Sequence, residues 1–103
     1  MAKGYWVASI DITDMDGYKA YVAANAEPFR QFGARFLTRG GKNEAVEGSL
    51  RSRIVVLEFP SYEAALQCYH SPEYQKAKAL RMGKGVGEIV VVEGYDGPQP
   101  SDG

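Results

Sequence analysis

The stretch CYHSPEYQ, Cys68 to Gln75, holds the only cysteine and the only histidine of the chain, with Tyr69 and Tyr74 around them. A thiol near an imidazole suggests nucleophilic catalysis, which requires the base to reach the proton of the thiol. The spacing argues against it, because two positions on a helix lie about 200° apart and their side chains diverge. A metal site fails on the same inventory, since there is no second histidine or cysteine to join either residue. Ser71, Pro72 and Glu73 read as a helix start: a capping hydroxyl, a proline at the first helical position and an acid in the first turn. The chemistry left in the stretch belongs to Tyr69 and Tyr74, with His70 at a helix end. A buried phenol hydroxyl needs a partner, either a backbone group or an oxygen of a small ligand beside His70.

Three further side chains invite the same question. Arg39 and Glu58 stand among apolar neighbours in ARFLTR and SRIVVLEF. They read either as a cross-strand ion pair or as an anion-binding arginine steadied by its carboxylate. Asn25 falls in the middle of an apolar helix stripe, where its amide must meet the backbone near Pro28 or a ligand. The candidate ligand-binding residues are therefore Asn25, Arg39, Glu58, Tyr69, His70 and Tyr74, with the catalytic residues unassigned and no metal site. The glycines of GKGVG, Gly83 to Gly87, do not make a phosphate loop. That motif runs strand, glycines, helix, and here the order is reversed, so the segment reads as a flexible connection or lid.

These side chains need elements to hold them. YWVASIDI (Tyr5 to Ile12) has the β-branched and aromatic content of a strand. Thr13 and Asp14 supply capping oxygens for a helix from Met15 to Phe32. Its stripe at 100° per residue is Tyr18, Tyr21, Val22, Asn25, Phe29 and Phe32. Pro28 lacks a backbone donor and should kink or split that helix near Ala24 to Glu27. Strands follow at Ala34–Arg39 and Ser52–Phe59, then helices from Ser61 to about Tyr69 and from Pro72 to about Arg81, and a last strand at Glu88–Tyr95. On the first of those two helices the inward stripe is Tyr62, Ala65, Leu66 and Tyr69, which leaves Cys68 on the far side. The order β-α-β-β-α-β with a divided second helix is the split βαβ arrangement of a ferredoxin-like α+β sandwich with a four-stranded antiparallel sheet. Residues 1–96 form one domain, and 97–103 a flexible tail.

Gly48-Ser49 suits a two-residue hairpin turn between the second and third strands. That register sets Glu44 opposite Arg53 and Arg39 opposite Glu58, with a bulge at Gly40-Gly41 as the route to a slip. Phe36, Val55, Leu57 and Phe59 then share an apolar face for the helices. Leu37, Arg39, Ile54, Val56 and Glu58 share the other face, which is more apolar than solvent favours. A second copy of the chain, packed sheet to sheet about a two-fold axis, would cover it.

Composition sets the outer bounds. One hundred and three residues suffice for one modest core. Twelve basic and thirteen acidic residues are interspersed to a net charge of −1, with no basic cluster for nucleic acid or an anionic membrane surface. A single cysteine, no signal-peptide pattern and no apolar run near the ~20 residues of a bilayer span make the cytoplasm the expected compartment. No prosthetic group is indicated.

The runs RFLTRGG (Arg35 to Gly41), LEFPSYEAALQCYHSPEYQKAKALR (Leu57 to Arg81) and VVEGYDGPQ (Val91 to Gln99) resemble the small proteins grouped as domain of unknown function 1330. GYWVASIDITD (Gly4 to Asp14) and YKAYVAANA (Tyr18 to Ala26) extend the resemblance over nearly the whole chain. It implies a ferredoxin-like fold that dimerises through its sheets into a dimeric α/β barrel. The wider superfamily includes cofactor-free monooxygenases, haem-degrading enzymes and small-molecule isomerases. Trp6 and His70 are residue types used in haem degradation, with nothing in the sequence to bring them together. The family carries no catalytic set to transfer. Two readings follow. One is a homodimer with an aromatic-walled pocket for a small molecule, using general acid–base chemistry on a carbonyl or aromatic compound if it is an enzyme. The other is a non-catalytic structural or interaction module.

Overall fold

In the computed structural model, which describes residues 2–102, four strands and four helices follow the expected order: β1 (Gly4–Ile12), α1 (Met15–Ala24), α2 (Ala26–Gln31), β2 (Arg35–Arg39), β3 (Arg53–Phe59), α3 (Tyr62–His70), α4 (Pro72–Arg81) and β4 (Gly85–Glu93). The sheet order is β2-β3-β1-β4 with every pair antiparallel, the ferredoxin-like α+β arrangement. Asp14, Ser61 and Ser71 each accept a backbone N–H from the first turn of α1, α3 and α4, so the predicted starts of all three helices hold. The predicted break in the first long helix also occurs. Pro28 has no N–H for the Ala24 carbonyl, and the chain divides into α1 and α2 at Asn25. No helix among the described residues is long and apolar enough to cross a membrane.

The inner face of the sheet carries Trp6, Ala8, Val55, Leu57 and Phe59, and the helices close over it. Trp6 is the hub. Its ring packs against Phe29, Phe59, Tyr69 and Tyr74 at centroid distances of 5.3, 5.3, 5.7 and 4.9 Å, and its Nε1–H donates to the Ala65 carbonyl at 2.9 Å. That bond reaches a main-chain oxygen of α3, so α3 must come close to the sheet. Small residues make the approach available: Ala65 and Cys68 are fully buried there. Cys68 therefore points inward, contrary to the expected stripe, and Tyr62, Leu66 and Tyr69 flank the contact half-buried.

The hairpin register also differs from the expectation. Strand β2 pairs Arg35 with Glu58, Phe36 with Leu57, Thr38 with Val56 and Arg39 with Val55, with a bulge at Leu37. Arg39 does not face Glu58, and Glu44 lies outside the ladder. Gly48 does adopt a positive φ of 68°, but residues 40–52 do not close a tight hairpin on it. Side chains draw that connection elsewhere. Asn43 donates to the Gly41 and Ser52 carbonyls, Asp11 accepts from Ser52, and Arg51 spans to Glu88 and Asp11. The hydroxyl of Thr38 completes the bulge, donating to the Ile54 carbonyl at 3.2 Å and accepting from Val56 N–H at 3.0 Å.

Strand β4 begins at Gly85, three residues before its predicted start, so the glycine-rich segment is largely strand and not a lid. A Cβ at Gly85 would stand 2.7 Å from the Asp11 carbonyl oxygen and one at Gly87 2.7 Å from that of Ser9. The glycines let β4 lie this close to β1.

Candidate functional site

A cleft opens between the inner face of the sheet and helices α1 and α2. Its walls are largely apolar, from Trp6, Ile10, Val22, Phe29, Phe36 and Ile89, and its cavity volume is about 40 Å³. That is well under the ~300–1,000 Å³ usual for small-molecule sites, so a ligand of that size enters only as the walls part. Asn25 brings an amide to it, buried at the break between α1 and α2. Arg39 and Arg53 bring two guanidinium groups. Past Tyr18 and Tyr21 a second compartment continues along β4, with Arg81 in its wall.

The bulge at Leu37 decides which arginine arrives. An unbroken alternation from Phe36 would turn Arg39 to the outer face. The extra residue reverses the phase, so Arg39 pairs with Val55 on the inner face and lays its Cζ 4.0 Å from the centroid of the Phe36 ring. Arg53 opposes Ile10 and shares the phase of Val55, Leu57 and Phe59. Sequence reasoning passed over it, yet the signal was available: an arginine two positions before Val55 is in step with a wholly apolar face.

The six predicted residues divide accordingly. Asn25 and Arg39 line the cleft. Glu58 is on the opposite face, where it accepts from the Tyr5 hydroxyl at 3.2 Å. Tyr74 is wholly buried behind the cleft wall, its hydroxyl 2.8 Å from that of Tyr21. Tyr69 is half-buried beside Trp6 and Tyr74 and borders a shallow groove with Lys78, Arg81 and Met82. His70 is exposed at the joint of α3 and α4, edge-on to the Tyr69 ring. Among the described residues no group of three or more His, Cys, Asp or Glu side chains is placed to hold a metal ion.

Burial raises the pKa of the Tyr21 hydroxyl, with Tyr74 adding to the effect, and burial likewise raises that of Tyr74. Both remain protonated at neutral pH and present hydrogen-bonding groups, not bases. Burial also pushes the Cys68 thiol up to about 12, with only a long contact of 3.8 Å from Sγ to the Pro28 carbonyl. Unfolded thiols and phenols ionise near ~8.5 and ~10. A raised pKa in the folded state contributes stability that is fully present below those values and lost as pH rises through the folded-state pKa. Urea midpoints should therefore hold to about pH 8 and fall steadily above it, with Cys68→Ala flattening the part of the fall below about pH 10. A midpoint unchanged up to pH 10.5 would contradict this burial.

A family model described as "Domain of unknown function (DUF1330)" matches residues 3–95. Three solved structures share the fold. A protein of unknown function from Rhodopseudomonas palustris has a TM-score of 0.72 at 14% identity, over 93% of this chain and 85% of its own. SnoaB, a cofactor-independent oxygenase from Streptomyces nogalater, has a TM-score of 0.62 at 11% identity, over 97% of this chain and 99% of its own. A member of the ethyl tert-butyl ether D family from Bacillus halodurans has a TM-score of 0.55 at 12% identity, over 92% and 100% respectively. At these identities the likeness establishes the fold alone. None of the curated proteins matches the sequence.

Proposed function

We propose, for a chain that belongs to the family described as Domain of unknown function (DUF1330), a homodimer whose subunits each bind a small apolar or aromatic molecule in the cleft between α1 and the inner sheet face. The observation that carries this reading is the cleft itself: aromatic and aliphatic walls with a few convergent polar groups, Asn25 and the two arginines among them. The outer sheet face supports the dimer. Val7, Val86, Val90, Val92 and Leu37 are all exposed there, and a second copy turned about a two-fold axis would bury the same residues on both sides. The cytoplasm remains the expected compartment.

Binding is better supported than acid–base catalysis. The tyrosines of the cleft hold their protons at neutral pH, and the imidazole of His70 is outside it. The oxygenase among the structural neighbours lends the reading a precedent for small-molecule chemistry in this fold, and nothing residue by residue. Thermal unfolding against a panel of small aromatic and branched aliphatic compounds tests the proposal. A ligand at a hundred times its Kd adds about 2.7 kcal/mol. For a domain of this size that raises Tm by on the order of 10 °C. Ile89→Phe, which fills the cleft from the sheet side, should abolish the shift. A panel with no shift, together with no retained molecule in native mass spectra of the purified protein, would sink the reading.

A further inference from the structure

Resting on that reading of the cleft, we propose that its ligand is a carboxylic acid, bound through its carboxylate by Arg53 with Arg39 and through its apolar body by the aromatic wall. The first observation is an unmet donor. The Nε of Arg53 is shut away from solvent and has no hydrogen-bond partner, the one such buried side-chain nitrogen or oxygen among the described residues. Buried donors are nearly always satisfied, and a charged one left alone is costly.

The second observation is that the fold makes room for this guanidinium. Gly40 has a φ of 72°, and a Cβ there would collide with Nη1 of Arg53. The group therefore occupies the space beside Gly40 that a side chain there would fill. Third, the bulge at Leu37 brings Arg39 to the same face and stacks it on Phe36.

The fourth observation is charge. Neither arginine belongs to any ion pair among the described residues. The carboxylates of Asp11 and Glu88 are taken by Arg51, and that of Asp14 lies with Lys84. Two cations thus face an apolar cleft whose lining contains no acid.

A carboxylate fits this arrangement. Once the Arg53 side chain turns its Nε edge into the cleft, its Nε–H and one Nη–H form a fork that matches the two carboxylate oxygens. The cleft beyond is apolar, from Phe29 and Phe36 to Ile10 and Ile89, and asks for an aromatic or branched aliphatic body.

The test compares acids with their neutral isosteres. Phenylacetate and 4-methylpentanoate, each beside its primary amide, would be titrated into the whole protein by calorimetry and followed by chemical shifts. The acids should bind at least tenfold more tightly than the amides. Arg53→Met should weaken acid binding by roughly 10–150-fold, the range of a hydrogen bond to a charged group, and leave amide binding within a factor of two or three. Arg53→Lys should recover only part of the loss, because an ammonium cannot make the fork. Arg39→Met, at an exposed strand position that should not disturb folding, should cost a smaller factor in the same direction. If acids and amides bind alike, or if Arg53→Met weakens both equally, the carboxylate assignment falls and the cleft stands. If neither class binds the wild type while larger neutral compounds do, the assignment again falls alone. If nothing binds, both fall. Should Arg53→Met fail to fold, the acid-to-amide ratio on the wild type and on Arg39→Met decides.

Discussion

Trp6→Ala is expected to cost about 3–5 kcal/mol, the upper range for removing a large aromatic side chain from a core. The position is wholly buried, and the ring touches Phe29, Phe59, Tyr69 and Tyr74, which come from α2, β3, α3 and α4. Loss of the indole therefore loosens every layer at once and leaves the Ala65 carbonyl without its donor. Domains of this size are held by only ~5–15 kcal/mol, so the variant sits near the edge of folding. Urea unfolding followed by far-ultraviolet circular dichroism, at one protein concentration, should show a large drop in midpoint. Trp6→Phe separates the two contributions: it keeps a ring, loses the Nε1 bond and should fall between wild type and alanine. An alanine variant within 1 kcal/mol of wild type, below the range expected for such a cavity, would show that the hub is not Trp6.

The second large effect is on association. With the outer sheet face as the proposed dimer interface, Val90→Asp should convert the dimer to monomer at micromolar concentration. Val90 is 56% exposed in the single chain, so the charge is solvated there and the fold should survive with its dichroism unchanged. In a two-fold dimer the same aspartate appears on both copies, in a contact lined by Val7 and Val92. Burying an unpaired carboxylate costs several kcal/mol, and each 1.4 kcal/mol is a factor of ten, so Kd should rise by about a thousandfold or more. Ala79→Asp on the exposed side of α4 serves as the control and should remain dimeric. Sedimentation velocity reads both. A wild-type chain that sediments as a monomer at micromolar concentration would refute the interface outright.

The elements were legible because their signals are local. Capping oxygens at Asp14, Ser61 and Ser71, the proline at 28 and the alternation of Val55, Leu57 and Phe59 each act within a few residues. What was misread depended on contacts across the fold. Cys68 turned inward because an indole from β1 draws α3 down onto the sheet, which a helical wheel drawn for α3 alone cannot contain. The glycines of β4 read as slack in the sequence, and their use is to lie against β1. The hairpin register went wrong because a good turn at Gly48 competes with Asp11 and Arg51, which tie the connection to β1 and β4. The site inherited that error. The expected register puts Arg39 on the opposite face beside Glu58 and Arg53 opposite Glu44, so the sequence alone does not bring the two arginines to one cleft.

The bulge at Leu37 also bears on how relatives should be compared. Residues 40–52 lie outside the ladder and can absorb one residue of slack, so β2 can gain or lose its bulge without shifting β3. In a homologue without it, the residue that follows Phe36 by two positions, not by three, would occupy the inner rim. An ungapped alignment would then set Arg39 against a side chain that points away from the cleft. It would report divergence where the lining had been kept, or identity where it had been lost. Descent in this part of the fold is better traced by counting from the pairing with Val55 than by counting along the chain.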